Sequence, residues 1–333
     1  MIEVNHVLDL GYKPQDASDY ENVFRLVPRG DTGPVIYGPD WLAFCLTDVL
    51  PDGGGFWRNT LVVQSGTRFI YLTNSPNNKT LIQPTASTPE IDWFWPSGGW
   101  ALPNGEDAVV IGNGYKSGGG IYGTLIGTYQ VTIKNIVTGA ELGPLTRCAL
   151  PTPTGMVWDG NACQVDDKVY LYGHRTSFGW MPTVARKPWN GNANDWEWML
   201  ADGTWSTNLN TAPGTPANHI VQGPLCGLQV ERDTYNYEFE ATAKILNSAP
   251  GLGYAETPEI IRWYSMNPWG PWDQREVAFD RTDIYPGCFS YAGRIVKLFL
   301  QRPITMWSTN QAAQIGTPNY HPKLYGLHFG QTK

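Results

Sequence analysis

The sequence is short of several things that would each have placed it at once. No apolar run approaches the ~20 residues that a membrane-crossing helix needs. The opening MIEVNHVLDLGYKPQ has neither the basic start nor the long apolar stretch of a secretory signal. The helix formers Ala, Glu, Lys and Leu nowhere gather into a long segment of 3.6-residue period, so helices should be few and short. Basic residues are scattered and outnumbered, 23 Lys and Arg against 30 Asp and Glu, a net charge of -7. Nucleic acid is therefore not an expected partner. Cysteines are few, odd in number and far apart: Cys45, Cys148, Cys163, Cys226 and Cys288. Each lies in apolar or strand-like surroundings, which predicts buried free thiols rather than a disulfide framework. His6, His174, His219, His321 and His328 lack ligand-like spacing, so no metal site is expected. The stretch GNGYKSGGG has the glycines of a phosphate loop but not its Lys-Ser/Thr ending, and no cofactor is expected.

What the chain has in quantity is turn formers and large rings: Gly 37, Pro 26, Trp 15 and Tyr 17 in 333 residues. Residues 155 to 205 show how they are used. Strand-like runs at Met156 to Val165, Lys168 to Arg175, Thr183 to Lys187 and Trp196 to Leu200 make a four-stranded antiparallel unit that cannot bury both faces alone. Similar units open near residues 31, 91, 156, 224 and 287, each followed by a more hydrophobic second strand: WLAFCLTD, DAVVIGNG, KVYLYGHR, YNYEFEATA and RIVKLFLQ. A quasi-period of roughly 60 to 70 residues without self-identity is the trace of propeller blades. The reading is one all-β domain over residues 1–333, a five-bladed β-propeller. Residues 1–30 form a lead-in, and the strand Glu3 to Leu10 is expected to complete the last blade (with Phe289 to Ala292, Arg294 to Gln301 and Lys323 to Phe329), which would place the termini side by side. A two-sheet sandwich or a pair of β domains gives the same strand spacing and stays open at this level.

Candidate site residues lie where innermost strands begin. Asp31 opens the first blade and Asp48 ends its second strand; an Asp at such a place commonly caps backbone N–H groups. In EIDWFWPSGGW, alternation puts Trp93 and Trp95 on one face and Asp92 and Phe94 on the other. Indole faces beside a carboxylate suit the apolar C–H face of a sugar, and packing between blades is the structural alternative. Trp158 and Asp159 stand at the corresponding place in the third blade. Cleaving a glycosidic bond needs two carboxyl groups across it. Asp31, Asp92 and Asp159 are the catalytic candidates, with Asp48 supporting them and Trp93, Trp95 and Trp158 as the glycan-binding candidates.

Several of these segments together resemble a family of five-bladed propellers related to glycoside hydrolases, associated with actinobacterial endo-D-arabinanases and with minor tail proteins of actinobacteriophages. The residues that carry the resemblance are Trp158, Tyr170-Leu171-Tyr172-Gly173, Ala185-Arg186-Lys187-Pro188, Trp196-Glu197-Trp198 with Gly203-Thr204-Trp205, Asp31 with Asp48 and Arg58-Asn59-Thr60, Trp95-Pro96, and Gly270-Pro271-Trp272. The chain departs from the family's compact ending of the second strand, reading Phe44-Cys45-Leu46-Thr47-Asp48-Val49, and from its small-residue start of the third blade, reading Trp158-Asp159-Gly160-Asn161-Ala162. The resemblance implies a tail-tip protein of a virus particle that binds host cell-wall arabinan-type glycan, with or without cleaving it. It implies cell-wall polysaccharide and other tail proteins as partners, assembly as a homotrimer or on a trimeric hub, and location in the virion. A free, extracellular endo-acting glycoside hydrolase and a purely structural tail module are the alternatives.

Overall fold

A computed structural model describes residues 3–14, 18–20, 29–50, 57–73, 80–118, 123–138, 141–153, 156–175, 183–216, 225–233, 238–247, 255–279, 288–297, 304–311 and 322–326. Its described residues form an all-β propeller. The first sheet contains β1 (Glu3–Asp9), β2 (Arg29–Tyr37), β3 (Trp41–Leu50), β4 (Trp57–Ser65) and β5 (Arg68–Thr73), in spatial order β1-β5-β4-β3-β2. The second contains β6 (Trp93–Ala101), β7 (Ala108–Lys116), β8 (Thr124–Lys134), β9 (Glu141–Leu142) and β10 (Thr146–Arg147). The third contains β11 (Met156–Val157), β12 (Ala162–Val165), β13 (Lys168–Arg175), β14 (Thr183–Pro188), β15 (Glu197–Met199) and β16 (Trp205–Ser206). The fourth runs β17 (Leu225–Asp233), β18 (Glu238–Asn247), β19 (Ala255–Ser265) and β20 (Asp273–Phe279). The last holds β21 (Cys288–Val296), β22 (Ile304–Gln311) and β23 (Pro322–Gly326). Four sheets thus have four or more strands, whereas the last has three among the described residues, so the expected five full blades are not reached.

Aromatic and branched side chains fill the spaces between sheets, which is why the strands need both faces apolar. Ile36 and Leu61 meet Phe94 and Val110 between the first and second sheets. Trp100 and Ile111 meet Trp158, Trp196 and Trp198 between the second and third. Tyr172 and Val184 meet Ala241 and Trp263 between the third and fourth. β21 packs on β17 and β18, and Val296 and Leu324 of the last sheet lie against Val35 and Phe44 of the first. A buried indole removes roughly 150–250 Å² from water, so Trp100, Trp158, Trp196 and Trp198 make the second interface especially rich in buried apolar surface.

Two sequence expectations are corrected. The strand at Glu3 to Leu10 forms, but as β1 it pairs with β5 of the first sheet and not with the last blade. The free edge of β5 lies closer along the chain, and the junction is fixed by Leu10 N–H donating to Thr67 O at 3.2 Å and Thr67 Oγ1 to the Asp9 carboxylate at 2.7 Å. The chain ends, and with them the expectation of adjacent termini, lie outside the described residues. In the last sheet, Arg294 onward does not begin a second strand. It continues β21 through an irregularity between Tyr291 and Arg294, and the second strand is β22. The third unit is likewise interrupted between β11 and β12, where Trp158-Asp159-Gly160-Asn161 leaves the sheet.

That interruption positions the site. A Cβ on Gly160 would stand 2.6 Å from Tyr172 Cβ, so the close approach that lets Gly160 N–H reach Tyr172 O requires glycine. Asn161 then turns to the fourth sheet, giving its amide to Val230 O and taking Val230 N–H, both at 2.7 Å.

Candidate functional site

In an antiparallel sheet, the start of the first strand lies beside the end of the second. Trp93 pairs with Tyr115 and Val157 with His174, so side chains far apart in sequence gather at one end of the propeller. Trp93 and Tyr115 stack at 6.0 Å with 12° between their planes, and Trp95 meets Tyr115 at 4.8 Å and 55°. The Arg58 guanidinium lies 4.7 Å from the Trp93 ring centroid. Trp93 is 8% exposed and its indole N–H finds no acceptor among the described residues, while Trp95 is only half-buried. Phe94, on the opposite face of β6, lies edge-on to Tyr129 in the core.

Beside these rings stands a carboxylate–imidazole pair. Asp159 Oδ1 lies 2.6 Å from His174 Nδ1. The geometry makes Nδ1–H the donor to the Asp159 carboxylate. The Asp159 carboxylate is partly exposed and His174 is buried. Burial, and after it the charge of Asp159, pushes the Tyr115 phenol well above its ordinary value, which places the pair next to the aromatic group. Asn113 of β7 also ties the two sheets here, donating to Trp158 O at 2.9 Å.

The other expected residues fall elsewhere. Asp92 is exposed and accepts Ser117 N–H at 2.6 Å. Hydrogen bonds from the Ser117 side chain and backbone hold its carboxyl below the usual range, opposite to what a general acid needs. It caps a loop. Trp158 is fully buried and donates its indole N–H to Pro151 O at 2.9 Å, so it has no face for a sugar and is corrected from glycan ligand to core. Asp31 lies in β2 opposite Thr47, and Asp48 in β3 follows Thr47; both side chains lie outside the described residues. The structure therefore brings together Trp93, Trp95 and Asp159. It adds Tyr115, His174 and Arg58, which the sequence reading did not select.

Among the described residues, no group of three or more His, Cys, Asp or Glu could hold a metal ion. Cys45, Cys148 and Cys163 are buried free thiols, each pushed up to about 12 by burial. No described helix is long and apolar enough to cross a membrane.

A family described as a domain of unknown function, DUF5005, matches residues 51–324. The chain belongs to that family. Among solved structures, a Bacteroides ovatus protein ascribed to the hydrolases is similar at a TM-score of 0.66 and 15% identity, over 93% of this chain and 89% of that one. An α-L-arabinanase variant of Cellvibrio cellulosa is similar at 0.51 and 10%, over 90% and 93%. The GH43 protein BlXynB of Bacillus licheniformis is similar at 0.51 and 11%, over 96% of this chain and 54% of that one. At these identities the likeness is one of fold, and the DUF5005 chain shares the propeller of glycoside hydrolases. No curated protein matches it in sequence.

Proposed function

We propose that this DUF5005 protein is a glycan-binding propeller that takes arabinan-type cell-wall polysaccharide at the end where Trp93, Trp95 and Tyr115 stand beside Asp159 and His174. The supporting observation is that juxtaposition: ring faces suited to sugar C–H groups, next to a carboxylate–imidazole pair that can meet hydroxyls. Trp95, half-buried where Trp93 is nearly enclosed, is the stacking platform. Asp159 accepts from sugar hydroxyls while holding His174 in place. Binding of arabinan oligosaccharides by the parent, lost in a Trp95→Ala variant that still unfolds cooperatively well above the assay temperature, supports this reading. Equal binding by the two proteins overturns it.

Endo-acting hydrolysis is the second reading, supported by the fold shared with an α-L-arabinanase. Asp31 and Asp159, both at strand-start ends, would form the carboxyl pair, since Asp92 is committed to its loop. Release of reducing ends from arabinan, abolished in Asp31→Asn and Asp159→Asn but kept in Asp92→Asn, would establish it. We count the three-stranded last sheet as a fifth blade. The setting we propose, from the sequence resemblance, is a bacteriophage tail tip, as a homotrimer or on a trimeric hub, and the protein's presence in purified particles tests that placement.

A further inference from the structure

At the far end of the inner strands lies a second cluster that the glycan reading does not use. Tyr37 ends β2, six residues beyond Asp31 and so up to about 20 Å along the strand from the strand-start end. Its hydroxyl donates a hydrogen bond to Glu231 of β17, joining the first and fourth sheets, which are not sequence neighbours. The same hydroxyl receives the backbone N–H of Lys297, immediately after β21 of the last sheet. Gln229 Nε2 lies 3.3 Å from Glu231. Glu240 of β18, 5% exposed, takes the Lys297 ammonium at 2.8 Å and faces Arg262 of β19 at 3.9 Å. Three sheets thus meet at one carboxyl group.

We propose that Tyr37 and Glu231, braced by Glu240 and Lys297, form a proton-operated clasp that holds the first, fourth and last sheets together and opens more readily when Glu231 ionises, because closing it then encloses a charged carboxylate beside Glu240 at a cost that the Tyr37 hydrogen bond and the Lys297 charge only partly offset. Glu231 is enclosed by protein and keeps only partial contact with solvent. Burial pushes it up to about 7, against the lowering by the Tyr37 hydrogen bond and the Lys297 charge and with the raising by Glu240. Of the other groups nearby, Arg294 of β21 acts on the Tyr37 phenol, and the Cys163 thiol of β12 feels the charges of Glu231 and Arg232. Once ionised, Glu231 places a second carboxylate beside Glu240 with Lys297 shared between them.

The sign of the linkage follows from the raised value. Between the ordinary 4.5 and about 7 the folded chain holds a proton that the unfolded chain has released. The clasp's stability is therefore complete below the ordinary value and is lost as pH rises through about 7. The inference is independent of what the other end binds.

The test is Tm between pH 5 and 8.5 for the parent, Glu231→Gln and Tyr37→Phe, with amide hydrogen exchange at Lys297 corrected for its intrinsic pH dependence. The parent should lose Tm with an inflection near 7, and Glu231→Gln should lack that inflection. Tyr37→Phe should keep it but move it upward, because the hydrogen bond that favours the carboxylate is gone. Protection of the Lys297 amide should fall severalfold in the parent as pH passes the inflection. Superimposable profiles for parent and Glu231→Gln, or Lys297 protection independent of pH, overturn the clasp. Should Glu231→Gln fail to fold, an unshifted inflection in Tyr37→Phe overturns it equally.

Discussion

Two tryptophans that look alike in sequence have opposite duties. Trp95 is half-buried beside Tyr115, whereas Trp158 is fully enclosed and hydrogen-bonded to Pro151. Trp158→Ala should destabilise the protein by about 3–5 kcal/mol in denaturant unfolding, because it leaves a large cavity between two sheets. Trp95→Ala should cost less than that, since Trp95 is only half-buried and gives up its ring contacts with Trp93 and Tyr115 without opening a cavity between sheets. Lys187 is a third case: 1% exposed, it gives its ammonium to Gln130 Oε1, Gly191 O and Asn192 O between the rings of Trp100 and Trp196. Burial pushes it down to about 8. Lys187→Met should cost about 1–3 kcal/mol in the same measurement, since it strands buried acceptors. The tryptophans were legible in the sequence as a class. Which of them face solvent was not, because alternation assigns a face but not what covers it. Tyr115 and His174 were findable only through register, which sets each beside the start of the preceding strand.

Between elements, the junctions repeat a device. Asn59 of β4 donates to Phe94 O at 2.7 Å, Asn113 to Trp158 O at 2.9 Å, Asn161 to Val230 O at 2.7 Å, and Thr242 accepts Ile295 N–H at 3.2 Å. Each sends one polar side chain from a sheet to the innermost region of the next, meeting backbone groups that the sheet ladder leaves over. Asn113→Leu should therefore lower stability by about 1–3 kcal/mol, read from urea unfolding, by stranding Trp158 O and the Thr128 hydroxyl. The order of strands was readable from turn spacing, and the observed first strands start at Arg29, Trp93, Met156, Leu225 and Cys288. The clamps were not readable, because nothing in a lone Asn distinguishes a clamp from a turn residue. Ala292-Gly293 in the last sheet reads as a turn but serves as an irregularity within β21, an ambiguity that glycine carries in any strand. The partner of β1 was misjudged because strand pattern states which residues pair, not which free edge is nearer.

Across the whole molecule, the strand-start end gathers rings and a carboxylate–imidazole pair, and the hairpin end carries the Tyr37–Glu231 tie. The first and last sheets meet through side chains such as Val35 and Leu324, and among the described residues they share no strand. Deleting residues 1–9 should accordingly expose the β5 edge and raise exchange along β5, while Tm falls less than in Trp158→Ala. The two proposals are separable by experiment, since Glu231→Gln should change the pH profile of Tm and Trp95→Ala should change ligand binding. The central claim is that the Trp93–Trp95–Tyr115 end binds glycan, and titration calorimetry with arabinan oligosaccharides on the parent, Trp95→Ala and Glu231→Gln measures it most directly. The account predicts at least a tenfold loss of affinity in Trp95→Ala, about 1.4 kcal/mol, and parental affinity in Glu231→Gln at pH 6. Parental affinity in Trp95→Ala, or its loss in Glu231→Gln alone, would contradict it.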